Sequence, residues 1–146
     1  MKIEDIMSEW SDDCRIDKTN LAEESLKISE LHNKYMKIFM GEVAMLKKYA
    51  TDKNKLKHML TEYYGNNEWD VIDYEEFGRE PFPRKIMKAD VDRYIDSDEE
   101  WIQMTLKYAL QEEKVKYIQE IIKSISNRGF QIKNAIDFTR FKQGYD

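Results

Sequence analysis

The feature that most constrains this chain is a spaced run of apolar residues in its last third: Trp101, Met104, Tyr108, Val115, Ile118, Ile122 and Ile125, with Gln111 in the one polar slot. The steps alternate between three and four residues, which is the seam of a coiled coil. A strand repeats every two residues and cannot gather these side chains on one face. A long helix is therefore expected here. Ser97 and Glu100 supply a capping box for its start, and Gly129 in "SNRGF" a stop. A last helix follows, with Ile132, Ala135, Ile136 and Thr139 inward and Phe138 and Phe141 beside them. Ile102, Leu106, Leu110 and Ile121 widen the apolar face beyond a two-stranded seam.

Two readings of this stripe stand together: a core within one chain, and self-association through the C-terminal helices. The residues assigned to self-association are Trp101, Met104, Tyr108, Val115, Ile118, Ile122, Ile125, Phe130, Ile132 and Ile136. A helix apolar on more than one side, in a chain with little else to cover it, needs partners.

The rest of the chain is also mostly helical in pattern. Ile3, Ile6, Met7 and Trp10 mark a short amphipathic helix. Asn20 and Glu23 read as a second capping box, followed by the stripe Ile28, Leu31, Tyr35, Ile38. Residues 20–64 form one very long helix or a pair, with "ATDKN" as the place of a bend or break. "GNNEWDVIDYEEFGREPFPR" holds both prolines with Gly65, Asn66 and Gly78, and reads as a mobile acidic loop. "KIMKADVDRYI" alternates briefly, which suggests a small β-hairpin within residues 85–95, around Ala89–Asp92. The expected fold is all-α with that one hairpin, in three regions: residues 1–64, 65–97 and 98–146. The 146-residue length suits one compact domain or a small core with extensions.

Charge is segregated along the chain. The total is −5, but residues 1–30 carry −5, residues 43–62 carry +3, residues 63–80 carry −5, and residues 102–146 carry +3. Local field matters more than the sum. Cys14 is the single cysteine, so no internal disulfide forms, and no apolar run approaches a membrane span. A soluble intracellular protein is expected.

Few residues point to catalysis. His32 and His58 are the only histidines, neither stands at ligand spacing from a cysteine or carboxylate pair, and the five glycines are scattered. The acidic groups "SDD", "YEE" and "DSDEE" read as solvated faces or helix N-terminal charge. No enzyme, metal or cofactor is expected.

That leaves "KLKHMLTEYYG", residues 55–65. Lys53, Lys55, Lys57 and a protonated His58 can neutralise phosphates, and Tyr63 and Tyr64 can stack bases. The competing reading is plain: lysines solvating a helix, and tyrosines capping its core.

"MKIEDI", "KLKHMLTEYYG", "KADVD" and "IIKSISNRGFQIKNAIDF" occur in that order with the spacing of a known family. Over essentially its full length the chain resembles the UvsY family of recombination mediators of T4-like phages. The resemblance implies a hexameric or heptameric ring built through C-terminal helices, with no ATPase or nuclease activity. It implies binding of single-stranded DNA, and loading of a RecA-like recombinase onto DNA coated by the phage single-stranded-DNA-binding protein. It places the chain in the cytoplasm of the infected bacterial host. Lys57 matches the lysine of the family's DNA-contacting motif. The arginine two residues later is absent: His58, Met59 and Leu60 occupy the region, with Lys53 and Lys55 as compensating cations. An oligomeric helical adaptor that binds only proteins is the alternative function.

Overall fold

The computed structural model describes residues 1–65 and 68–144. Asn66, counted above among the turn residues, lies outside the described residues. Among the described residues six α-helices follow one another: α1 (Ile3–Asp13), α2 (Leu21–Leu26), α3 (Ile28–Gly65), α4 (Val71–Phe77), α5 (Val91–Asp96) and α6 (Glu99–Lys142). A 3-10 turn, Lys88–Asp90, leads into α5. No strand occurs among the described residues. No described helix is long and apolar enough to cross a membrane.

The chain divides into two compact units. The first comprises residues 1–44 with residues from 112 onward, and the second Met45–Gln111. The long helices α3 and α6 each lend residues to both.

In the first unit, Ile6, Tyr35, Ile118, Ile121 and Ile125 form the buried core. Trp10, Leu31, Ile38 and Ile122 pack around it. The coiled-coil spacing of α6 is thus used here within one chain, against α1 and α3. Polar contacts fasten α1 in place. Asp13 accepts hydrogen bonds from the Lys34 ammonium (2.6 Å) and the Tyr35 hydroxyl (2.8 Å). Burial pushes the Asp13 carboxyl up, but these two bonds outweigh it and hold it below the ordinary range. Burial, reinforced by the bond to Asp13, drives the Tyr35 hydroxyl well above its ordinary value. The buried Arg128 donates to the carbonyls of Asp13 (3.1 Å) and Cys14 (2.7 Å). Those carbonyls end α1, where orphan acceptors and the negative end of the helix dipole favour a cation.

Arg128 also explains why "SNRGF" does not stop a helix. α6 runs through it as one element to Lys142, and no separate last helix exists. Gly129 keeps an ordinary backbone, whereas the left-handed glycines are Gly78 and Gly144, both at φ 80°. With Ile125, Arg128 and Ile132 all buried, packing on both sides of the glycine carries the helix across it.

The earlier part of the chain differs from expectation in a similar way. α2 and α3 are separated at Lys27, and "ATDKN" lies inside α3. The Thr51 hydroxyl bonds back to the Lys47 carbonyl (3.1 Å), which satisfies it without breaking the helix. Asn20 caps α2 with no side-chain bond.

The second unit is centred on Leu56, Leu60, Val91 and Ile95, with Tyr64, Phe77, Ile86, Trp101 and Met104 against them. Two expectations are corrected here. Residues 88–96 are helical and form no hairpin. A strand would put Arg93 on the same face as Val91 and Ile95; the helix buries those two and leaves Arg93 exposed. The acidic segment is also more ordered than a loop. Asp70 and Asp73 form a reciprocal capping box for α4, each accepting the other's backbone N–H (2.9 and 3.0 Å). Gly78 closes α4 in the left-handed conformation. Aromatic residues spaced among the acids supply the core contacts that the charge count concealed.

Asp98 joins these parts. It is buried and accepts from both Arg79 guanidinium nitrogens (2.6 and 3.0 Å) and from the Tyr64 hydroxyl (2.6 Å). It also accepts from the Trp101 backbone N–H (3.1 Å), so Asp98, and not Ser97, caps α6. The Ser97 hydroxyl instead donates to the Arg93 carbonyl, and Glu100 pairs with Arg79. Burial raises the Asp98 carboxyl, yet the bonds from Arg79, Tyr64 and Trp101 win and hold it at about 2. Tyr64 is pushed up to about 12, by burial first and then by the bond to Asp98.

Because the folded carboxyl sits below its ordinary 3.8, its stabilisation is present above that pH. It is lost as pH falls from about 4 towards 2. Asp98→Ala is expected to lower stability by about 3 kcal/mol, since it strands Arg79 and removes the cap. Melting temperatures between pH 2 and 5 check both statements. Wild type should lose stability through that window, and the variant should lose visibly less.

Candidate nucleic-acid interface

The expected DNA-binding residues lie on the last three turns of α3, within the second unit. The structure separates them. Lys53 is half-buried, its ammonium 5.3 Å from the centre of the Trp101 ring and 5.0 Å from that of Tyr108. Two ring faces hold its charge, as cation–π contacts do. Lys53 is thereby engaged in packing on α6.

Lys55 and Lys57 are exposed, and among the described residues neither makes an ion pair. His58 is 72% exposed at its side chain, with Nε2 3.3 Å from Glu62 Oε1. Trp69 Nε1 donates to the other oxygen of Glu62 (3.4 Å). A tryptophan of the acidic segment therefore steadies the carboxylate that faces His58.

Of the two roles expected for the tyrosines, stacking bases or capping the core, their surroundings have the geometry of the second. Tyr63 is buried, with aromatic neighbours Tyr64 (5.0 Å), Phe77 (5.4 Å) and Trp69 (6.0 Å), and the Arg79 guanidinium 5.3 Å from its centre. Its hydroxyl donates to the Glu80 carbonyl (2.7 Å). Tyr64 is half-buried between Tyr63, Phe82 and Tyr94, with its hydroxyl on Asp98. Both rings brace the end of α3. They occur at the right place for bases, but a sequence pattern cannot tell an exposed tyrosine from one with an aromatic pocket folded over it.

Two cations omitted from the candidate set belong with the exposed ones. Lys47 and Lys48 are exposed on the same helix, and Lys48, Lys55 and His58 are seven and then three residues apart. That spacing places them along one side of α3. Their sequence signal is the +3 charge of residues 43–62. Asn54, Lys55, His58 and Met59 also bound a shallow surface dimple of about 450 Å³, lined mostly by carbon.

The residues expected to drive self-association also divide. Ile118 and Ile125 are fully buried in the first unit's core, with Ile122 packed beside them. Val115 and Ile132 are buried too. Trp101 and Met104 pack on the second unit's core, and Tyr108 carries Lys53. Within this set only Phe130 (71%) and Ile136 (38%) are exposed, joined along α6 by Phe138 (61%) and Phe141 (77%). On the other half of the helix, Ile102, Leu106 and Leu110 are exposed as well.

Comparisons with known proteins agree with this all-helical picture. The family described as "Recombination, repair and ssDNA binding protein UvsY" matches residues 9–145. A crystal structure of the bacteriophage T4 recombination mediator protein UvsY superposes with a TM-score of 0.82 at 20% identity, covering 97% of this chain and 99% of that one. A second crystal form of the same T4 protein gives a TM-score of 0.82 at 19% identity, with 98% of each chain covered. No curated protein matches the chain in sequence. With a match over nearly all its residues, the chain belongs to the UvsY family.

Proposed function

We propose that this chain is a recombination mediator that holds single-stranded DNA on the exposed cations of α3. The observation that carries this is the pair Lys55 and Lys57: exposed, without an ion pair, and placed in a family described as binding single-stranded DNA. Lysines held away from carboxylates remain available to neutralise phosphates. His58, Lys47 and Lys48 extend the strip, while Lys53 supports it from behind. In this division residues 1–64 carry the DNA face, and residues 98–146 assemble a ring of six or seven copies. Residues 68–97 supply the rings that pack at the end of α3. The bound strand is then handed to a RecA-like recombinase in place of the phage single-stranded-DNA-binding protein, with binding energy as the only drive.

One lysine strip on a chain of net charge −5 is a weak site, and repetition around a ring supplies what one copy lacks, because linked sites act at high effective concentration. The exposed phenylalanines of α6 support this assembly, since the described residues leave them largely uncovered. Phe138→Asp with Phe141→Asp is expected to lower the mass in solution to that of a single chain while helicity is kept. An unchanged mass would remove these residues from the assembly.

The DNA reading is tested by the affinity of pure protein for a single strand across a salt series. Binding that is absent, or indifferent to salt, would favour the adaptor that contacts only proteins.

A further inference from the structure

With Tyr63 and Tyr64 enclosed, a strand lying along α3 needs another place for its bases. We propose that the dimple bounded by Asn54, Lys55, His58 and Met59 seats a nucleobase of the bound strand. The inference rests on the reading that α3 holds single-stranded DNA.

The chemistry of the dimple fits a base better than it fits a phosphate. Its lining is mostly carbon, and its volume of about 450 Å³ lies within the range of small-molecule sites. The half-buried Met59 offers a polarizable thioether, which makes favourable contacts with aromatic rings. The stem of Lys55 adds apolar surface while its ammonium stays in water. His58 is the one aromatic ring on this part of the helix with an open face, and histidine is among the side chains on which unstacked bases lie. Its Nε2 lies 3.3 Å from Glu62, whose other oxygen accepts from Trp69, so the contact is made at the ring's edge. The Asn54 amide at the rim can donate to and accept from a base edge.

The charges around it complete the match. Lys55 borders the dimple, and the exposed Lys48 stands seven residues earlier on the same side of α3, so phosphates along a strand with a seated base meet cations on that side. This combination of stacking surface and flanking lysines is the general form of single-strand sites that tolerate any sequence. An aliphatic side chain of a protein partner would need the apolar lining but not the exposed lysines.

The test compares a dT oligonucleotide with one of equal length carrying abasic sugars throughout, on wild type, Met59→Ser and His58→Ala, each checked for unchanged helicity. Wild type should bind the dT strand about fivefold to a hundredfold more tightly than the abasic strand, the factor expected for stacking one base. Each variant should narrow that ratio while keeping the same salt dependence. Salt-sensitive binding with equal affinity for both strands overturns the base site and leaves the lysine strip standing. A ratio that survives both substitutions places the base elsewhere and also overturns it. Absence of binding to either strand removes the strip and the dimple together.

Discussion

Ile118→Asp is expected to unfold the first unit outright. Ile118 has no exposed surface and sits among Ile6, Tyr35, Ile121 and Ile125. The substitution removes buried apolar surface worth about 2 kcal/mol. It also buries a carboxylate with no cation in that cluster, which costs several kcal/mol more. Together these approach the whole stability of a small domain, about 5–15 kcal/mol. Circular dichroism should show a large loss of helix at 25 °C. Ile118→Val should cost only about 1 kcal/mol and melt cooperatively. Retained helicity in Ile118→Asp would mean that the core of the first unit is built differently. The variant is therefore no probe of assembly, although the seam spacing suggests it as one. The exposed Phe138 and Phe141 serve that purpose.

That case shows what a sequence pattern conveys and what it leaves open. The alternating steps from Trp101 to Ile125 correctly indicate one apolar face on a long helix. They do not say what covers the face. Period is a property of one element, whereas the partner depends on every other amphipathic element, here α1 with Ile6 and Trp10 and α3 with Tyr35. Breakers failed for a related reason. Gly129 and "ATDKN" carry local costs of about 1 kcal/mol, which buried neighbours on both sides outweigh. The acidic segment has the charge of a loop but the aromatics of a core. Trp69, Tyr74, Phe77 and Phe82 fold it onto Tyr63.

The candidate site was legible in its lysines and illegible in its geometry. Lys53, Lys55 and Lys57 look equivalent along the chain. A helix turns by about 100° per residue, so positions two apart diverge widely. Lys53 meets Trp101 and Tyr108, and Lys55 turns away from it into solvent; Lys57, one turn on from Lys53, is exposed beyond those two rings. His58, Met59 and Leu60 occupy the region where the family resemblance calls for an arginine, and that absence is legible in the sequence. Met59 itself is half-buried. Its contribution to an apolar dimple needed the fold.

The second large effect concerns those two lysines. Lys55→Ala with Lys57→Ala is expected to weaken single-strand binding by at least tenfold at low salt, more if several copies engage one strand. Both side chains are exposed, so helicity and melting temperature should be unchanged. Lys53→Ala offers a contrast: its loss acts through packing on Trp101 and Tyr108, and should lower stability more than it alters the salt response.

The most direct measurement is the slope of log affinity against log salt for a dT oligonucleotide, on wild type and on the Lys55→Ala, Lys57→Ala double variant. Each phosphate neutralised on a single strand contributes about −0.7 to that slope. Wild type should show a clearly negative slope, and the double variant a shallower one, by about 1.4 for each chain engaged. Equal slopes for the two proteins would contradict the assignment of DNA binding to these lysines of α3.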